Sequence, residues 1–398
     1  MNILYYIPYL NQELGGTRQY AVTLLKILSE DTQNKYFILH NNNDPEILEI
    51  LKLSNSIRLI PSKTGKERKI EQFLHNIIKL YNYVMRVNGI KSKLIHWSYL
   101  NRICNKYKID IVYSPFQIAP ISNRKTIWTL HDVQEIHFPE YFTSEVREAR
   151  ARGHNDSIAR GKHIVVSFDH IKADLLKYFN LNKSDVSVCL LEMNKLWFNR
   201  FTEVDIDKYF IENLTSKKYL LYAANTWQHK NHIGLIEAVY KLKEGHCNDI
   251  VIYCTGNKTE YYHDTLKPLI ETLGLSNNII FLGLVSEKEL YSLYKRAHGV
   301  VIPTKYEAGS FPLYESVLLG IPVICSSVTS LPEVITESDF LFNPHDYIEI
   351  ANKIQLLWSN NEFRDKNYEH IETAKKKILS HKSLNIILNV LNKIGNVE

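Results

Sequence analysis

Short runs rich in β-branched and aromatic residues alternate along this chain with stretches whose apolar positions recur at helical spacing. Such alternation predicts parallel sheets covered by helices on both faces, an α/β fold. In the first half, strands are expected at Asn2 to Pro8, Lys35 to His40, Ile109 to Tyr113, Thr126 to Leu130 and His163 to Val166. Helices are expected around Arg18 to Ser29 and Ile70 to Val87. A second series begins at Lys218, with strands near Tyr219 to Ala223, Ile250 to Cys254, Ile279 to Leu282, Gly299 to Ile302 and Pro322 to Cys325. Helices follow Asn231, Tyr261, Ser286 and Ser310.

Between the two series, residues 194–216 lack a strand period and mix charged with aromatic side chains, which suggests a linker and a candidate hinge. Near the C-terminus, Leu384, Ile387, Leu388, Leu391 and Ile394 fall at helical spacing. The expected organisation is a first domain over 1–195, a linker over 196–216, a second domain over 217–375, and a C-terminal helix over 376–398 that packs back on the first domain.

Composition narrows the class. The 398 residues are 45 % apolar, enough for substantial cores, which excludes disorder as the main state. No apolar run reaches the roughly 18 residues that span a bilayer, and Met1 to Leu10 lacks the basic start and cleavage site of a secretion signal, so a cytoplasmic chain is expected. The five cysteines are scattered outside metal-ligand spacings, so neither a disulfide framework nor a zinc site is indicated. The net charge of +5 is local: twelve basic residues against Glu67 and Glu71 lie between Arg58 and Lys108, which argues against a uniformly basic nucleic-acid coat.

Four clusters could carry chemistry. Gly15-Gly16 follows the first strand and leads into a helix, where backbone N–H groups can approach an anion such as a diphosphate; an ordinary strand-to-helix turn is the plainer alternative. Asn225 to His232 lies between the first strand of the second half and its helix, so that Lys230 is placed to meet a phosphate, or is simply a surface lysine. Glu307-Ala308-Gly309-Ser310-Phe311 ends another strand, and Glu315 sits in the helix that follows, with Ser310 as its cap, Pro312 in its first turn and Gly320 at its stop. Two carboxylates flanking small residues can accept hydrogen bonds from vicinal sugar hydroxyls, while the N–H groups of Ala308 to Phe311 face an anion; a surface pair is the alternative. Finally, His131-Asp132 ends a strand of the first half, where a histidine can bind a hydroxyl or move a proton, or serve structure alone.

Together these residues resemble the retaining glycosyltransferases of family 4. The resemblance covers nearly the whole chain. Its most specific piece is Glu307 and Glu315 separated by seven residues, then Gly320-Ile321-Pro322-Val323-Ile324, Ser330-Leu331-Pro332-Glu333-Val334 and Phe342-Asn343-Pro344. Phe281-Leu282-Gly283, His131-Asp132 with Phe138-Pro139-Glu140, and Val166-Ser167 add to it. Trp227-Gln228-His229-Lys230-Asn231-His232 is similar to a motif of bacterial mannosyl- and related hexosyltransferases. The resemblance implies the GT-B fold, with two Rossmann-like domains facing an interdomain cleft, the first on the acceptor side and the second binding the nucleotide sugar.

It also implies roles. Glu315 would hold the nucleotide ribose, Glu307 the hydroxyls of the donor sugar, and Lys230 with the Gly15 and Gly16 amides the leaving diphosphate. His131, with Asp132 beside it, would contact the transferred sugar or the acceptor. No cofactor or metal is implied; the donor is a nucleotide-diphosphate sugar, GDP-mannose first and a UDP-sugar next, and the acceptor a glycan or lipid-linked glycan of bacterial polysaccharide synthesis. A front-face mechanism follows, in which the departing phosphate takes the acceptor's proton. One departure stands out: where the family commonly places an arginine five residues before the lysine, this chain has Asn225, counted with the donor-binding positions; either Lys305 or His229 substitutes for the arginine, or diphosphate binding is weaker than the family norm.

The apolar residues Ile70, Phe73, Leu74, Ile77, Ile78, Tyr81, Val84 and Met85, with Lys69, Lys79 and Arg86 on the polar side, describe either an amphipathic cationic helix at an anionic membrane or a core-facing helix with a charged outer side. The first reading implies peripheral contact with the inner face of the membrane. Two other functions stay open: an inactive GT-B protein binding a membrane or nucleic acid through this segment, and a GT-B sugar-nucleotide epimerase. Nucleic acid is not the expected partner.

Overall fold

The computed structural model describes residues 1–8, 10, 16–40, 44–60, 77, 99–192 and 197–396. Gly15, most of the basic segment between Arg58 and Lys108, and the predicted helix Ile70 to Val87 apart from Ile77 lie outside them.

The chain divides into two compact units. The first comprises Met1–Ser167, Ile171–Glu192 and Lys382–Glu398. Its sheet holds β1 (Asn2–Tyr6), β2 (Lys35–Leu39), β3 (Ile57–Ile60), β4 (Ile111–Ser114), β5 (Lys125–Thr129), β6 (His163–Val166) and β7 (Val186–Val188), all parallel, in the order β3-β2-β1-β4-β5-β6-β7. The central strands are buried on both faces, as continuous apolar runs such as Ile3-Leu4-Tyr5 and Ile111-Val112-Tyr113 demand. β4 starts two residues later than its apolar run suggests. Ile109 N–H is spent on Cys104 O, closing the helix Tyr99–Lys106 through Lys108 in the left-handed region (φ 50°).

The second unit comprises Phe168–His170 and Met193–His381. Its strands are β8 (Leu220–Ala223), β9 (Ile252–Thr255), β10 (Ile279–Gly283), β11 (Gly299–Ile302), β12 (Val323–Ser326) and β13 (Leu341–Phe342), again parallel, in the order β10-β9-β8-β11-β12-β13. Each sheet thus carries the Rossmann order, with the first strand between the second and the fourth. The order reverses at β1/β4 in one unit and at β8/β11 in the other, and ligands of open α/β sheets bind beyond the carboxyl ends of strands at such points.

The segment read as a linker is built otherwise. Trp197–Arg200, Glu203–Asp205 and Lys208–Glu212 are short helical turns of the second unit. They are fastened to the helix Glu287–Arg296 by Arg200–Glu287 and Lys295–Glu203 ion pairs and by Asp207 N–H donating to Ser292 Oγ at 2.8 Å. The boundary expected at 375 falls inside the helix Asn361–Leu379, and the last helix, Ser383–Asn396, belongs to the first unit. There Ser383 Oγ donates to Leu190 O and Lys393 Nζ to Ser184 O, each at 2.7 Å. Its buried stripe is Ile387, Val390, Leu391 and Ile394. Among the described residues, no helix is long and apolar enough to cross a membrane.

Candidate active site

In the second unit, the chemistry gathers at the β8/β11 reversal. Beyond β8 the chain makes one 3₁₀ turn, Gln228–Lys230, and enters the helix His232–Glu244 through Asn231 in the left-handed region (φ 58°). Asparagine tolerates that conformation better than most side chains. Its amide donates to the carbonyls of Pro303 and Pro344, 2.8 Å each, and Gly234 leaves it the room: a Cβ there would lie 2.7 Å from the Asn231 amide nitrogen. The loop beyond β11 is tied to the same turn. Lys305 N–H donates to His229 O at 2.8 Å, Thr304 Oγ1 donates to the same oxygen at 3.0 Å, and Tyr222 Oη donates to Lys230 O at 2.7 Å.

These ties bring Lys230 and Glu307 together. Lys230 Nζ donates to Glu307 Oε1 at 2.7 Å, and Glu307 is only 6 % exposed. Glu307 N–H donates to Thr329 Oγ1, and its carbonyl accepts from Ser330 Oγ. Glu315, in the helix Phe311–Leu319, is also buried and accepts from Tyr294 Oη at 2.8 Å. Burial and the Glu315 charge raise the Tyr294 pKa well above the ordinary tyrosine value, so that phenol stays a donor.

Other expected site residues are disposed differently. Ser310 occupies the N-cap position of the Phe311–Leu319 helix but makes no capping hydrogen bond; its buried Oγ has no partner among the described residues. Pro312 lies in the first turn, and Gly320 closes the helix at φ 74°. Ala308, Gly309 and Phe311 are half-buried in the turn between the two glutamates. Asn225 turns its carboxamide oxygen to Asn257 N–H at 2.7 Å, so it braces the loop beyond β9. Gly256 in that loop has φ 119°, and a Cβ would meet Ala224 at 2.7 Å, which requires glycine. His229 is poorly placed to act as a cation: burial, then the Lys230 charge, pushes its pKa down to about 3.

The first unit shows a second, self-contained arrangement. Beyond β5, His131 N–H donates to Gln117 Oε1 at 2.8 Å and its Nε2 lies 2.9 Å from Pro115 O. A carbonyl only accepts, so Nε2 carries the proton and Nδ1 offers a lone pair. Burial lowers the His131 pKa, opposed by the Pro115 carbonyl and Asp132, and the ring stands edge-on to Tyr20 at 4.7 Å. Asp132 is already committed: Gln117 Nε2 donates to it at 3.0 Å and Arg150 stands 3.5 Å away. Arg150 also pairs with buried Glu135 at 2.8 Å. Gly16 begins the helix Gly16–Leu28 and is exposed.

Gln117, Arg150 and Tyr294 carry no motif and escaped the sequence reading; each is identifiable only by what it touches. Among the described residues no group of three or more His, Cys, Asp or Glu is arranged to hold a metal ion.

Comparison with known proteins places this geometry. Residues 205–377 match the family described as Glycosyl transferases group 1. The chain is a glycosyltransferase of the GT-B fold class, with two Rossmann-like units, and the matched residues lie in the second. It is 24 % identical over 378 residues to O-antigen chain mannosyltransferase B of Escherichia coli, covering 94 % of each chain. It is 25 % identical over 251 residues to O-antigen chain mannosyltransferase RfbU of Salmonella typhimurium, covering 63 % of this chain and 65 % of that one. Among solved structures, Anabaena HepE in complex with UDP and glucose matches with a TM-score of 0.68 at 15 % identity, over 99 % of this chain and 100 % of that one. WaaG, a glycosyltransferase involved in lipopolysaccharide biosynthesis, matches with a TM-score of 0.64 at 13 % identity, over 98 % and 99 %.

Proposed function

We propose that this chain is a retaining hexosyltransferase that moves a sugar, mannose in the first instance, from a nucleoside-diphosphate donor to a glycan or lipid-linked glycan acceptor in bacterial polysaccharide synthesis. The observation that carries the reading is the ion pair of Lys230 with the buried Glu307, with Glu315 close in sequence, all beyond the β8/β11 reversal. The names of the O-antigen mannosyltransferase relatives favour the mannosyl donor.

In this reading Glu315, steadied by Tyr294, accepts from the ribose hydroxyls, and Glu307 accepts from hydroxyls of the hexose. Transfer breaks the bond between C1 and the diphosphate oxygen, and the electron pair goes to that oxygen. The acceptor oxygen bonds to C1 on the same face, and its proton passes to the departing phosphate. Negative charge therefore grows on the diphosphate, where Lys230 and the N–H groups at the start of the Phe311–Leu319 helix stabilise it more in the transition state than before. Lys305 supplies the second cation. In the first unit, the neutral His131 offers Nδ1 to a sugar hydroxyl, an acceptor-side role, and the start of the Gly16–Leu28 helix suits an anion.

A thermal-shift screen with GDP, UDP, ADP, TDP and CMP, alongside their sugar conjugates, tests this. One base is expected to raise the melting temperature, and Glu315→Ala to abolish that rise. No shift from any nucleotide at millimolar concentration refutes the donor site. The anomeric configuration of the product, read by NMR, tests retention. Co-sedimentation with anionic vesicles at low salt tests peripheral membrane contact through the basic segment.

A further inference from the structure

The Lys230–Glu307 contact joins the two groups that the donor reading assigns to different parts of one substrate. Their side chains are 18 % and 8 % exposed. A carboxylate this buried is costly unless donors satisfy it. Its backbone is anchored on both sides, to Thr329 and Ser330, which holds the carboxylate where it stands. Glu307 is therefore satisfied there either by the Lys230 ammonium or by another donor that reaches it.

A diphosphate that approaches Lys230 competes with Glu307 for the ammonium and is repelled by the carboxylate. A hexose attached to that diphosphate changes the balance, because its hydroxyls donate to Glu307 while Lys230 turns to the phosphate. A nucleoside diphosphate without sugar brings no such donors. We propose that Glu307, through its pair with Lys230, makes the site discriminate between the nucleotide sugar and the nucleoside diphosphate product, and so promotes product release. This rests on the donor-site reading above. Once the hexosyl group has gone to the acceptor oxygen, and the acceptor's proton to the departing phosphate, Glu307 has lost its hydroxyl donors. It then reclaims Lys230 and loosens the product.

Glu307→Gln tests the idea, because it keeps size and an acceptor oxygen but removes the charge. Calorimetric titration of wild type, Glu307→Gln and Glu315→Ala with GDP, UDP, GDP-mannose and UDP-glucose reads it, with a melting curve to verify folding. The expected result is that Glu307→Gln binds the nucleoside diphosphate about tenfold more tightly than wild type, as loss of a charge-assisted competitor predicts. The ratio of nucleotide-sugar to nucleoside-diphosphate affinity falls with it. Equal or weaker diphosphate binding by folded Glu307→Gln overturns this proposal and leaves the donor site standing, provided Glu315→Ala still abolishes binding. Failure of every nucleotide to bind wild type overturns both. If Glu307→Gln does not fold, Glu307→Asp, which draws the carboxylate back by one methylene, is expected to tighten diphosphate binding by a smaller factor, and no tightening overturns the proposal.

Discussion

The two units share a strand order and treat charge in opposite ways. In the second, the loops beyond β8 and β11 bring Lys230 against Glu307, with Lys305 close in sequence, a set whose charges can be exchanged with an anionic ligand. In the first, Arg150 and Gln117 neutralise Asp132, Arg150 holds Glu135, and His131 is kept uncharged by burial. In the proposed reading, one scaffold thus presents a site for a diphosphate and the other a site for a neutral hydroxyl. The difference lies in loop side chains rather than in the sheet.

The largest expected effect breaks the comparison at its charged end. Lys230→Met should lower kcat/KM by roughly 10²–10³-fold, the size of losing a preorganised donor to a developing oxyanion. His131→Ala should cost only about tenfold, one neutral hydrogen bond. Nucleotide-release kinetics on both variants decide it, and equal losses would mean that the two units do not differ as described.

Next, Arg150→Leu leaves the buried Glu135 carboxylate without its cation and should destabilise the first unit by about 2 kcal/mol. Chemical denaturation measures that, with nucleotide affinity in the second unit unchanged. Tyr294→Phe works the other way. It removes one donor from Glu315, so nucleotide affinity should drop by several-fold for about 1 kcal/mol of stability. Calorimetry and a melting curve on the same sample separate the two.

The smallest effect per group is in pH. Burial lowers the pKa of His154 and His163 in the first unit to about 4, and of His229 and His232 in the second to about 3. These folded-state values lie below the ordinary 6.5, so the unfolded chain binds the protons first as pH falls. Their stabilisation is complete above pH 6.5 and is lost progressively down to about pH 4 in the first unit and about pH 3 in the second. Denaturation at pH 7 and pH 5 should show a loss on the order of 1 kcal/mol per histidine. Unchanged stability across that range would mean that these imidazoles reach water in the folded state.

Most of this architecture is legible in the sequence. His163–Val166 and Gly299–Ile302 match their expected limits, because fully buried strands of a parallel sheet are unbroken apolar runs between polar turns. The strands missed are edge or near-edge pieces. Ile57–Ile60 is buried only at its two ends, with Arg58 and Leu59 exposed between them, while Val186–Val188 and Leu341–Phe342 are too short to show a period. Motif and spacing single out Lys230, Glu307 and Glu315 as candidates, and the structure pairs the first two. Asn225 braces a neighbouring loop through its carboxamide oxygen, a contact its place in the motif does not announce, and Ser310 holds the cap position without the cap bond.

The sequence by itself determined the alternating elements, the α/β class and the strand ends where chemistry belongs, because burial patterns and turn residues are local properties. Only the tertiary structure decided which strand lies beside which, that Lys230 rests on Glu307, that Tyr294 donates to Glu315, and that His131 presents Nδ1. Each of these pairs residues distant along the chain. Their hydrogen bonds and desolvation depend on distances that no local pattern encodes.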